Sequence, residues 1–99
     1  MKESQIYHEE KYTHLFQAIS SIKNDEEARL FFIDLCTPTE LDAMADRWAV
    51  IPLLKQGVPY RAIHDRTGVS VATITRIARC LVYGEGGYDL IFKRVKKHE

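Results

Sequence analysis

Apolar residues recur every three or four positions along most of this 99-residue chain, the spacing of helices that each turn one stripe inward. Tyr12, Leu15, Phe16, Ile19 and Ile22 mark a first helix over residues 7–23. Asn24 or Asp25 can cap a second, through Glu26, Glu27, Leu30, Phe31 and Leu35, with two glutamates set against the positive end of its dipole. Thr37-Pro38-Thr39-Glu40 is a capping box with proline at the first helical position, which opens a third helix running to about residue 56. Its apolar set, Leu41, Met44, Ala45, Trp48, Ala49, Val50, Ile51, Leu53 and Leu54, spreads too far round the axis for a surface helix. A central, buried helix is expected, bent where Pro52 removes a backbone hydrogen bond. Gly57 ends it. Residues 83–87 form a glycine-rich breaker, and a last helix over 88–97 is expected to point Leu90, Ile91, Phe92 and Val95 inward. Nothing reads as a strand, so the pattern predicts an all-α fold of about six helices.

Between Pro59 and the breaker lie two short helices meeting at Gly68. A steep crossing needs a tight turn, and Gly68 can take the positive φ that closes it. Val69 plugs the corner and Ser70 caps the next helix, in which Ile74, Ile77, Ala78 and Leu81 form the core stripe. Val71, Ala72, Thr73, Thr75, Arg76 and Arg79 are left nearer solvent. That set suits a major groove. Short residues allow close approach, Val and Ala methyls can touch thymine methyls, Thr can bond base edges or phosphate, and Arg can fork onto guanine or phosphate. The same punctuation also serves an ordinary helical hairpin. Two positions depart from the usual helix-turn-helix: His64 stands where a small alanine is common, and Thr67 where a larger apolar residue is common.

The length predicts one small domain: residues 1–56 as a helical dimerisation region, 59–82 as the helix-turn-helix and 85–97 as a C-terminal helix. Apolar surface on the first three helices exceeds what one recognition unit covers, which predicts an interlocked homodimer. Its two recognition helices would stand roughly 34 Å apart, matching consecutive major grooves of a palindrome in double-stranded DNA. Net charge is zero, but residues 1–46 hold ten acidic and four basic side chains, while residues 47–99 hold four acidic and ten basic. A basic half can meet phosphate while the rest keeps the protein off arbitrary DNA; the plainer alternative is two halves that attract each other. No run is long and apolar enough to cross a bilayer and no secretory signal is evident, so no membrane partner and a cytoplasmic location are expected. Cys36 and Cys80 are expected as buried free thiols.

Catalysis finds little support. His8, His14, His64 and His98 lack metal-ligand spacing, neither cysteine is near a histidine in sequence, and His64 and Asp65 point to different sides of a helix. Residues 84–87 lack the strand and lysine of a phosphate-cradling loop. Neither an enzyme nor a cofactor is expected.

Leu35-Cys-Thr-Pro-Thr-Glu-Leu-Asp-Ala-Met44, Leu53-Leu-Lys-Gln-Gly57, Tyr60-Arg-Ala-Ile63 and Val71-Ala-Thr-Ile-Thr-Arg76 resemble the tryptophan-repressor family. Arg79-Cys-Leu-Val-Tyr-Gly84 is similar to its YerC/YecD-type branch in particular. The resemblance covers about residues 25–97 and implies an all-helical, intertwined homodimer with a helix-turn-helix in each subunit. The tryptophan repressor is itself among the proteins for which such docking and water-mediated readout are known. The resemblance implies Arg61 against a guanine, Val71, Ala72 and Thr73 at base edges, and Thr75 near phosphate.

Amino-acid-responsive members hold their corepressor with a threonine and two arginines that correspond to Thr37, Arg47 and Arg76. The glycine that follows the second arginine in those members is Ile77 here, whose branched side chain takes space the indole would need. Tryptophan is therefore disfavoured, and a regulator that acts constitutively or answers to another small molecule is expected. The alternative for these residues is structural: Arg47 and Arg76 paired with Asp42, Asp46 or Asp65, and Thr37 serving as a cap. For the whole chain, a transcriptional regulator, a repressor by resemblance, stands against a ligand-sensing or protein-interaction module that keeps the fold without reading DNA.

Overall fold

The computed structural model describes residues 7–97. Its elements are α1 (Glu10–Ser20), α2 (Asp25–Leu35), α3 (Pro38–Lys55), α4 (Tyr60–Thr67), α5 (Val71–Tyr83) and α6 (Gly87–Lys97). Among the described residues there is no strand, and the fold is all-α as the periodicity predicts.

The first helix is shorter than its apolar spacing suggests, and two serines account for its end. The hydroxyls of Ser20 and Ser21 donate to the carbonyls of Gln17 and Ala18, at 3.0 and 2.7 Å, so side chains take carbonyls of the last turn. Asn24, rather than Asp25, caps α2: its Oδ1 accepts the Glu27 N–H at 2.9 Å, while the Glu27 carboxylate accepts the Lys23 N–H at 3.0 Å. The capping box of α3 forms reciprocally. Glu40 Oε1 accepts from Thr37 N–H at 2.8 Å, and Thr37 Oγ1 accepts from Glu40 N–H at 3.2 Å. The Thr37 backbone N–H, then its side chain, hold the Glu40 carboxyl below the usual carboxylate range.

Two compact units make up the chain, one up to Leu41 and one from Asp42. In the first, no described residue is fully buried. Leu15, Ile19, Phe31 and Phe32 are half-buried, whereas Phe16, Leu30, Ile33 and Leu35 are exposed.

The second unit holds the core: Val50 and Ile51 of α3, Ile63 of α4, Val69 of the turn, and Ile74 and Ile77 of α5. Trp48, Leu53, Leu54, Val58, Tyr88 and Phe92 pack around it. Trp48 stacks on Tyr88 with ring centroids 6.5 Å apart and meets the edge of Phe92 at 6.4 Å. Lys55 pairs with Asp89 and lies over the Phe92 ring, 5.5 Å from its centroid. The hydrogen bond from Lys55 and the charges of Lys55 and Lys93 hold the Asp89 carboxyl below its ordinary value.

Two expectations of burial are corrected. On α3 only Val50 and Ile51 are fully buried; Leu41, Met44, Trp48, Leu53 and Leu54 are half-buried, and Ala45 and Ala49 are exposed. The apolar residues outside the central pair occupy faces that a single chain covers only in part. On α6, Leu90, Ile91 and Val95 are exposed, and the inward contacts come from Tyr88 and Phe92. Those two are one turn apart on one face, and Leu90 falls on the opposite side of the helix. The cysteines also differ from expectation: Cys36 is half-buried and Cys80 exposed, both as free thiols.

Gly84 ends α5 for a steric reason. Its N–H donates to Cys80 O at 2.8 Å, and a Cβ there would lie 2.3 Å from that same oxygen. Gly84→Ala must therefore move backbone, and a loss of about 1–3 kcal/mol is expected. A thermal melt should show a fall of at least ~4 °C; an unchanged midpoint would mean that the α5 terminus yields freely.

Candidate nucleic-acid interface

The α4–turn–α5 segment is built from its corner outward. Gly68 sits at φ 76°, and its N–H donates to His64 O at 2.8 Å, which ends α4 in the left-handed cap that glycine tolerates. Val69 then drops into the core. Ser70 Oγ accepts from Thr73 N–H at 3.2 Å and donates to Thr73 Oγ1 at 2.9 Å, fixing the first turn of α5.

With Ile74 and Ile77 buried below, α5 turns Val71, Ala72, Thr75, Arg76 and Arg79 to solvent, with Thr73 half-buried. Arg61 is exposed in the first turn of α4, and Ser70 is exposed at the cap. The two threonines offer different chemistry. Thr73 Oγ1 accepts from Ser70 and keeps its proton for an outside acceptor. Thr75 Oγ1 donates to Val71 O at 2.9 Å and keeps lone pairs for an outside donor.

His64 and Thr67, the two departures from the usual pattern, occupy the corner with a definite task. The carbonyl of Val69 can only accept, so His64 Nδ1 donates to it, at 2.8 Å. Thr67 Oγ1 donates to Ile63 O at 2.7 Å and accepts the Val69 N–H at 3.1 Å. Both backbone polar groups of a buried residue are thus satisfied by side chains. The signal was present in the sequence as a demand: an apolar corner residue between two helices has no helical partner for its N–H and C=O, and something polar nearby must supply one.

Beside α5 lies a cleft of about 410 Å³ lined by Arg47, Thr73, Arg76, Ile77, Cys80 and Tyr88. Arg47, Arg76 and Ile77 of the resemblance-derived ligand set meet there; Thr37 is not among the lining residues and is held in the cap of α3. Ile77 is 2% exposed, so its side chain belongs mainly to the core. The structural alternative for the arginines is corrected: among the described residues neither Arg47 nor Arg76 makes an ion pair. Asp42 and Asp46 stand five and one positions before Arg47 on the same helix, neither of which is the three- or four-residue spacing that brings helical side chains together. His98 lies outside the described residues, and no described helix is long and apolar enough to cross a membrane.

Comparison with known proteins gives a consistent pattern. Residues 10–96 match the family described as Trp repressor protein. The chain is 45% identical over 85 residues to the uncharacterised protein YerC of Bacillus subtilis (strain 168), covering 86% of this chain and 82% of YerC. Among solved structures, a TrpR-like protein from Eubacterium eligens ATCC 27750 superposes with a TM-score of 0.86 at 39% identity, over 93% of this chain and 95% of that one. A candidate Trp repressor from Staphylococcus aureus superposes with a TM-score of 0.89 at 34% identity, over 97% of this chain and 96% of that one.

Proposed function

Because the chain belongs to the Trp repressor family, we propose that it is a cytoplasmic, sequence-specific DNA-binding regulator, a repressor by kinship, that reads a palindromic operator as a homodimer. The observation that carries the reading is α5 itself. A capped helix standing on buried Ile74 and Ile77 presents Val71, Ala72, Thr73, Thr75 and Arg76 outward, the mixture of methyls, hydroxyls and guanidinium that base edges and phosphates accept. Arg61, Ser70 and Arg79 complete the DNA-facing set, with Arg61 on guanine. The residues up to 56 serve dimerisation: the first unit has no buried interior among its described residues, and its exposed Phe16, Leu30, Ile33 and Leu35 are covered by the second subunit. Ile77 disfavours tryptophan as effector. The cleft with Arg47 and Arg76 suits a different, anionic small molecule, which also keeps a ligand-sensing module without DNA reading as the second interpretation.

Selection of bound sequences from random duplex DNA, with and without tryptophan, tests this. A palindrome recovered equally in both conditions is expected. Enrichment only with tryptophan would overturn the role given to Ile77, and no enrichment at all would favour the second interpretation. On the recovered operator, Arg61→Ala should flatten preference at one base pair per half-site, by about 1–3 kcal/mol in competition binding, while Lys96→Ala should weaken all sequences alike.

A further inference from the structure

Three hydrogen bonds tie the last turn of α4 to Gly68 and Val69, the residues that lead into α5, and two of them use side chains that a plain turn does not require. The His64 carbonyl accepts from Gly68 N–H, and the His64 ring donates to Val69 O, at 2.8 Å each. Thr67 Oγ1 bridges Ile63 O and Val69 N–H, at 2.7 and 3.1 Å. Val69 directly precedes the Ser70 cap and is only 7% exposed, so water has little access to its backbone. With its N–H, its C=O and its side chain each held, the peptides on either side of Val69 have one orientation, and they set the direction in which α5 leaves the corner.

We propose that His64 and Thr67 are positioning residues for DNA reading, a side-chain lock that fixes the angle of α5 without any small molecule. The proposal rests on the DNA-reading function above. Neither residue needs to touch DNA. Their effect falls on the base contacts, which require α5 at one depth and tilt, and spares phosphate contacts made by long, adaptable side chains. A ligand in the arginine cleft would then act on a helix already aimed.

The test compares wild-type protein with His64→Leu and Thr67→Val, which remove the hydrogen bonds at similar volume, and with His64→Asn and Thr67→Ser, which return a donor or hydroxyl to nearly the same place. Affinity is measured for the selected operator and for random duplex of equal length at one salt concentration. Amide hydrogen exchange is followed at Val69, Thr73 and Ile74, with α3 amides as reference. The expected result is a loss of about tenfold in operator affinity for each disrupting variant, little change on random duplex, recovery in the conservative variants, and faster exchange confined to the corner and start of α5.

Equal losses on operator and random DNA, accompanied by faster exchange throughout α3, would reduce the two residues to general stabilisers and overturn the proposal. So would wild-type operator affinity in both disrupting variants. A wild-type protein without sequence preference would remove the function on which the proposal rests; local exchange in the variants would then show that the lock exists while DNA reading does not.

Discussion

Ile77→Gly should unfold much of the protein rather than open a tryptophan pocket. By its place next to Arg76, Ile77 is the residue that separates this chain from members with glycine there, and reverting it is the obvious way to seek tryptophan binding. The structure makes that reversion costly, because Ile77 lies in the same core as Val50, Ile51, Ile63, Val69 and Ile74. Removing such a side chain to Cβ costs about 2–5 kcal/mol, and glycine inside a helix adds roughly 1 kcal/mol. Domains of this size have a total stability near the lower end of about 5–15 kcal/mol. Urea denaturation followed by circular dichroism should show a midpoint shifted far down or an incomplete folded baseline, with no rescue by tryptophan. Arg76→Ala, one position away and exposed, should change stability by no more than about 0.5 kcal/mol. Near-native stability of Ile77→Gly with tryptophan-dependent protection would show that Ile77 blocks a ligand site and contributes little to the core.

Operator affinity is expected to fall on the order of a thousandfold between 50 and 200 mM salt, if the dimer makes roughly six phosphate contacts. A net charge of zero, taken alone, predicts only a weak dependence on salt. The phosphates, however, respond to local charge within a Debye length of about 8–10 Å, not to the sum over the molecule. Arg61, Arg66, Arg76 and Arg79 are all exposed on α4 and α5, and none is engaged in an ion pair among the described residues. Fluorescence anisotropy across a salt series gives the slope directly. A flat response would mean that these arginines do not meet phosphate and would remove the electrostatic basis of the proposed DNA reading.

Much of this architecture was legible because it depends on local rules. The Thr37–Glu40 box, the Ser70 cap and the positive φ of Gly68 follow from spacing and residue type within four positions, and each formed where expected. Burial was less legible. Leu90 and Val95 have the same hydropathy as residues that do face inward, and only the packing of α6 through Tyr88 and Phe92 distinguishes them. The C-terminal end of α1 depended on serine hydroxyls competing for carbonyls, which a periodicity of apolar residues does not register. At the candidate site, the outward face of α5 could be read from the helical repeat, whereas the corner bonds of His64 and Thr67 could not. A family pattern marks those two as misfits, and their use became clear only with the backbone groups of Val69 in place.

Every fully buried side chain among the described residues, from Val50 to Ile77, is branched at Cβ. Such side chains have essentially one rotamer available within a helix, so this interior cannot absorb a change by swinging a long stem into a new gap as leucine or methionine would. The seat beneath α5 is therefore a gauge rather than a cushion. A single misfitting methyl at Ile63 or Ile74 would not be averaged away inside the protein but passed on as a tilt of the helix above it, and natural variation at those two positions should be confined to isoleucine and valine.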